Sequence, residues 1–228
     1  MIMGNILKDI YTDTALAPLL GLKGGTAAYF FYKLPRFSVD LDFDLFVLDE
    51  ALQNQVFEKI EQILKQYGTI KDKKIKQNTI FLLLSYGELD RNIKIEISTR
   101  QLIPDLKNYY QLKEYLGISM LVGAEKYLFS AKLIALSQRK ETAARDIYDI
   151  WFFAKNNFDI DPEIIRIRTG KESKAYLSDC IAIINKFKDN QILKEIGELL
   201  SEKEKNWIKN NLKKDVIFLL KNYISVLK

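Results

Sequence analysis

The sequence predicts an α+β protein, with mixed strands and helices up to about residue 117 and a helical part over residues 118–228. Three observations carry this. Short runs that alternate apolar and polar residues cluster before Pro104, apolar positions recur every three to four residues after it, and a glycine pair stands just ahead of an acidic strand. The 228-residue chain is 48% hydrophobic and 29% charged, enough to bury a core of one large domain or two small ones.

The first helix is expected over residues 5–17, where Ile6, Leu7, Ile10 and Tyr11 share a face, ending before Pro18. An apolar run from Leu19 to Leu22 leads into Gly24-Gly25. A short helix starting at that turn, Thr26 to Tyr32, would aim free backbone N–H groups at a phosphate; a tight turn with no ligand is the plainer account. Pro35 closes this helix. From about Val39 to Leu48 a strand follows, with Leu41, Phe43 and Leu45 on one face and Asp40, Asp42 and Asp44 on the other. Carboxylates two residues apart on a strand lie roughly 6.6 Å from each other. At an effective dielectric near 20 each such pair repels by about 2.5 kcal/mol, a cost that a divalent cation turns into a binding site.

Asp49 is placed to cap an amphipathic helix whose apolar positions are Leu52, Val56, Ile60, Ile63 and Leu64, with Gly68 as its stop. Three strands are expected next, Thr69 to Ile75, Thr79 to Ser85 and Asn92 to Ser98, the last two joined by a turn over Tyr86 to Asp90. In the third, Ile93, Ile95 and Ile97 face one way and Lys94 and Glu96 the other. Helices are expected at Met120 to Arg139, Glu141 to Lys155, Ser173 to Phe187, Ile192 to Leu200 and Lys203 to Leu227.

Composition excludes several chemistries. The sequence contains no histidine and one cysteine, Cys180, which removes the usual zinc ligand sets, Ser-His and Cys-His nucleophile pairs and any internal disulfide. No run approaches the ~20 apolar residues of a membrane span, and the N-terminus has neither a basic start nor a clean apolar stretch, so a cytoplasmic protein without membrane partners is expected. The net charge of +5 permits a polyanionic partner without demanding one.

Two constellations could carry chemistry. Asp40 and Asp42 with Glu96 on another strand form the carboxylate set that two-metal phosphoryl or nucleotidyl transfer requires, able to hold two Mg²⁺ about 3.5 to 4 Å apart; a solvated acidic face is the plainer reading. In the helical part, Lys132 has Leu128, Phe129, Ala135 and Leu136 as helical neighbours, so it either snorkels to the surface or is held near a buried anion. Arg145 and Asp146 follow on the next helix, as groups that orient a lysine or a substrate or as surface ion pairs, and Asp149 there is a charge with Phe152 and Phe153 as helical neighbours.

In order and spacing, KGGTA at Lys23, RFSVDLDFD at Arg36, IKIEIS at Ile93 and AKLIAL with ARDIYDI at Ala131 and Ala144 resemble the AbiEii/AbiGii toxin family of nucleotidyltransferases, to which the mycobacterial MenT enzymes belong. The resemblance implies a polymerase-β-like nucleotidyltransferase fold followed by a helical bundle. It also implies that the Gly24-Gly25-Thr26 turn contacts triphosphate, that Asp40 and Asp42 hold Mg²⁺ with Glu96 as third carboxylate, that Lys132 binds phosphate, and that Asp146 is a later essential acid. Asp44 is left as the spare carboxylate. The implied activity is transfer of a nucleotide from an NTP, with the tRNA 3′ end as acceptor and a separately encoded antitoxin. An enzyme acting on a small hydroxylated molecule or a protein, and a catalytically silent binding protein, are the alternatives.

Overall fold

The computed structural model describes residues 2–87, 91–100, 103–138, 144–187 and 202–227. It divides into two compact units, Met1–Ala124 and Glu125–Lys228. The first is built on a mixed seven-stranded sheet of β1 (Leu20–Lys23), β2 (Asp40–Leu45), β3 (Thr69–Lys76), β4 (Thr79–Tyr86), β5 (Arg91–Ser98), β6 (Tyr110–Tyr115) and β7 (Ile118–Gly123). The spatial order is β3-β4-β5-β2-β1-β7-β6, with β2 parallel to β5, β1 parallel to β7, and the other neighbours antiparallel.

The strand alternation is borne out as burial: Leu41, Phe43, Ile93, Ile95 and Ile97 are 0 to 1% exposed, forming the apolar underside of β2 and β5. Helix α1 (Ile2–Thr12) ends five residues earlier than expected. The Asp13 carboxylate accepts hydrogen bonds from the N–H groups of Ala15, at 2.8 Å, and Leu16, at 3.2 Å, a local alternative that stops helix propagation. The Tyr11 hydroxyl then ties α1 to the sheet, donating to the Leu121 carbonyl at 2.9 Å and accepting from the Leu22 N–H at 3.0 Å. Helix α2 (Gly24–Tyr32) is closed by Lys33 in the left-handed region, φ 60°, ahead of Pro35. Helix α3 (Glu50–Lys65) is capped as expected, Asp49 accepting from the Leu52 N–H at 2.9 Å.

The helical reading of Met120 onward is corrected at its start. Residues 118–123 are strand β7, and helix α4 runs from Glu125 to Gln138. The sheet holds β7 by pairing Val122 with Leu22 of β1, and Met120 and Val122 are fully buried. Strand β6, which has no counterpart among the sequence expectations, pairs along its whole length with β7.

The second unit consists of α4, α5 (Ala144–Lys155), α6 (Pro162–Thr169), α7 (Ser173–Lys186), α8 (Glu202–Trp207), a π-helical turn over Ile208–Leu212, and α9 (Lys213–Val226). The expected helix at 192–200 and the start of the run at Glu141 lie outside the described residues. Asp161 caps α6 by accepting from Glu163 N–H, and its own N–H donates to the buried Ser130 hydroxyl on α4 at 2.8 Å. Trp151 of α5 donates its indole N–H to Asp215 of α9 at 2.7 Å. Cys180 is fully buried, and burial pushes its thiol up to about 12, the state of an inert core residue. Among the described residues, no helix is long and apolar enough to cross a membrane.

Candidate active site

The acidic strand β2 lies between β1 and β5, and register decides which side chains meet. Asp40 stands opposite Lys94, Asp42 opposite Glu96 on one side and Lys23 on the other, and Asp44 opposite Ser98 and Gly21. Residues opposite one another on adjacent strands share a face. Asp40, Asp42, Lys94 and Glu96 therefore form one polar patch, two residues long and two strands wide.

Asp44 leaves this patch for a structural role. It is 1% exposed, forms an ion pair with Lys23, and accepts a 2.6 Å hydrogen bond from the Tyr110 hydroxyl. Gly21 makes room for that tyrosine: a side chain there would begin 2.3 Å from the Tyr110 ring and 2.6 Å from Phe46. The carboxylate furthest along the strand is thus a buried clamp between β1, β2 and β6.

Helix α2 begins where β1 ends, and its first residue touches the acid patch. Gly24 has φ +73°, and a Cβ on it would lie 2.2 Å from Asp42 Oδ2. The Asp42 carboxylate is thereby packed against the opening turn of α2, whose N-cap, Lys23, offers no side-chain acceptor to the first N–H groups. Thr26 is fully buried and its hydroxyl donates to the Asp40 carbonyl, so its side chain fastens α2 to β2. Arg36, 4% exposed, brings Nη2 to 3.0 Å from the point where a Gly25 side chain would begin, with Ser38 Oγ at the same distance. A guanidinium and a hydroxyl therefore border the start of the helix, a pairing suited to phosphate oxygens. Neither was among the expected site residues, although both lie within the stretch that precedes the acidic strand.

Gly24→Ala is expected to lower stability by about 1 to 3 kcal/mol, the usual cost of a strained left-handed residue. It also pushes the Asp42 carboxylate aside, so a melting curve together with a nucleotide titration should show both losses.

Lys94, which alternation places on the Glu96 face, is a further group outside the expected site residues. Its ammonium sits 3.4 Å from Asp40 Oδ2 and 3.1 Å from Glu96 Oε2. Burial works against its charge, yet Asp40, Glu96 and Asp42 together hold its pKa above the ordinary lysine value. Among the described residues, no three of His, Cys, Asp and Glu converge as a ready-made metal cage. The donor set nevertheless suits Mg²⁺, which binds through one or two carboxylates and substrate phosphates rather than in all-protein cages.

In the second unit, Lys132 of α4 pairs with two carboxylates of α5, Asp146 at 3.0 Å and Asp149 at 2.9 Å. Both aspartates are 0% exposed, and the lysine side chain is 12% exposed. This is a buried ion triad, so both plainer readings, a snorkelling lysine and surface ion pairs, give way to it. Asp149 was noted in the sequence but not counted as a site residue.

A glycine-initiated helix abutting a carboxylate pair on a central strand, with a third acid on the parallel neighbour, sits on a nucleotidyltransferase fold. JHP933 from Helicobacter pylori shares it at TM-score 0.56 and 19% identity, over 96% of this chain and 92% of that one. A candidate nucleotidyltransferase from H. pylori matches at TM-score 0.57 and 19% identity, over 96% and 95% of the two chains. An antigenic nucleotidyltransferase-like protein from Paracoccidioides brasiliensis does so at 0.56 and 11%, over 85% and 92%. No curated protein matches the chain. Residues 5–215 match the family described as nucleotidyl transferase AbiEii toxin, type IV TA system. The chain belongs to this family of toxin–antitoxin nucleotidyltransferases, and it is an enzyme of that class; membership implies an NTP substrate and an antitoxin.

Proposed function

We propose that the protein transfers a nucleoside monophosphate from an NTP to the 3′ end of tRNA in the cytoplasm, with Mg²⁺ held by Asp40 and Asp42 and assisted by Glu96. The observation that carries the reading is the meeting of Asp42 with Glu96 across β2 and β5 and with the start of α2 at Gly24. The opening N–H groups of α2 at Gly24, Gly25 and Thr26, with Arg36 beside them, receive the triphosphate. Thr26 acts by anchoring that turn to the Asp40 carbonyl. When bound, Mg²⁺ neutralises triphosphate charge and lowers the pKa of the acceptor hydroxyl. The acceptor hydroxyl gives up its proton to solvent as its oxygen bonds to the α-phosphorus, the bond from that phosphorus to the α–β bridging oxygen breaks, and pyrophosphate leaves with that electron pair. Lys132 is assigned to phosphate and Asp146 to its support, on the resemblance of their motifs and their 3.0 Å pairing. The +5 charge and pI of about 9.0 favour an RNA acceptor, whose phosphates need neutralising.

The test incubates the protein with Mg²⁺, each α-labelled NTP in turn, and total tRNA. Label is expected on the RNA with at least one NTP. Pyrophosphate release that needs no RNA would instead point to a small or protein acceptor, and no label with any NTP would end the tRNA reading.

A further inference from the structure

The polar patch on β2 and β5 contains a cation of its own, and its charge balance bears on how many metal ions it can take. Asp40, Asp42 and Glu96 supply three negative charges; Asp44 is already paired with Lys23 and adds none. Lys94 pairs with two of the three and so offsets part of that charge from within the protein.

The position of Lys94 points the same way. It bridges Asp40 and Glu96, one carboxylate from each strand, across the register pair Asp40–Lys94. These are two of the three acids that a pair of metal ions about 3.5 to 4 Å apart would have to share. The backbone of Lys94 is held two residues from Glu96 in the interior of β5, which is paired on both sides, so its side chain starts beside both acids. Its side chain is 28% exposed, so water screens it only in part.

We infer that Lys94 is a resident cation of the catalytic face, its ammonium filling the place of one metal ion so that the enzyme works with one divalent cation instead of two. The inference rests on the proposed magnesium-dependent transfer. In that arrangement Lys94 keeps Asp40 and Glu96 facing one another before nucleotide arrives. The single divalent ion would still be held by Asp40 and Asp42 and would arrive with the triphosphate.

The experiment counts bound Mn²⁺ by electron paramagnetic resonance on the full chain, saturated with a non-hydrolysable α,β-methylene NTP. One Mn²⁺ per chain is expected for the wild type and two for Lys94→Met. Lys94→Gln serves as a second variant of similar length. The wild-type count needs no variant to be informative, so a Lys94 variant that fails to fold does not remove the test. Two Mn²⁺ in the wild type would overturn the inference while leaving metal-dependent transfer standing. So would an unchanged count of one in both folded variants. No Mn²⁺ and no nucleotide bound by the wild type would remove the magnesium reading itself and this inference with it. A second readout is stability without metal: the Lys94 variants should melt at lower temperature than the wild type, and added Mn²⁺ should restore more of the loss than it adds to the wild type. Equal melting with and without Lys94 would count against it as the counterion of this face.

Discussion

Asp42→Asn is expected to abolish nucleotidyl transfer while leaving the fold intact. Asp42 is the carboxylate on which the patch converges, opposite Glu96, opposite Lys23, and packed against Gly24. The amide is isosteric, so the contact with the start of α2 survives, but it carries no charge with which to hold a divalent cation. Losing a group that merely supports a metal ligand costs about 10- to 100-fold in affinity or activity. Loss of the ligand itself should exceed that. Stability should move the other way, because neutralising Asp42 removes its repulsion against Asp40 and Glu96. That repulsion is at most about 2.5 kcal/mol per pair, and Lys94 already offsets part of it. The variant should therefore melt at or above the wild-type temperature, bind nucleotide only weakly in the presence of Mg²⁺, and show no labelled RNA. Full activity would rule Asp42 out as a ligand. Loss of activity with a collapsed melting temperature would mean that its role is to hold α2 against the sheet.

How far such a site can be seen in a sequence depends on whether its groups are linked by period or by register. The apolar underside of β2 and β5 was visible in Leu41, Phe43, Ile93, Ile95 and Ile97, because alternation is a property of one strand alone. The Asp49 cap of α3 was visible for the same local reason. The meeting of Asp42 with Glu96 required a parallel pairing across more than fifty residues, and the pairing of Lys23 with Asp44 required β1 to lie antiparallel to β2. Lys94 was seen on the same face as Glu96, but its role depends on Asp40 standing opposite it. Only the register supplies that.

The hairpin of β6 and β7 was hidden by its turn. Two-residue turns of this kind favour Asn-Gly because both residues take positive φ. Here the pair is Leu116-Gly117, at φ 52° and 74°, and an exposed leucine in that conformation gives no turn signal. The apolar run of β7 then merges with that of α4. Met120 and Val122 are buried at period 2, and Tyr127, Leu128 and Phe129 follow too soon for the change of period to show. Asp149 was missed differently. Its spacing from Asp146 was plain, but that both would be fully buried against one lysine followed only from the packing of α4 on α5.

That triad sets the second large effect. Lys132→Met should destabilise the protein by about 3 to 5 kcal/mol, because it removes the ammonium that is paired with two buried carboxylates. Against the 5 to 15 kcal/mol that typically holds a domain together, this is enough to put the helical unit near unfolding. Inactivity of Lys132→Met alone is therefore no evidence for a phosphate contact. Neutralising the whole triad, as Lys132→Met with Asp146→Asn and Asp149→Asn, removes the buried charges together and should recover most of the lost stability. In that folded variant the two roles of the lysine separate, since carboxylates do not attract a triphosphate and only Lys132 could have done so. If Lys132 contacts phosphate, NTP affinity in the triple variant should fall by about 10-fold or more, the loss of one charge-assisted hydrogen bond of roughly 1.5 to 3 kcal/mol. If calorimetry gives the wild-type affinity, Lys132 is a structural counterion for Asp146 and Asp149, and the phosphate cation must be sought at Arg36 beside the start of α2.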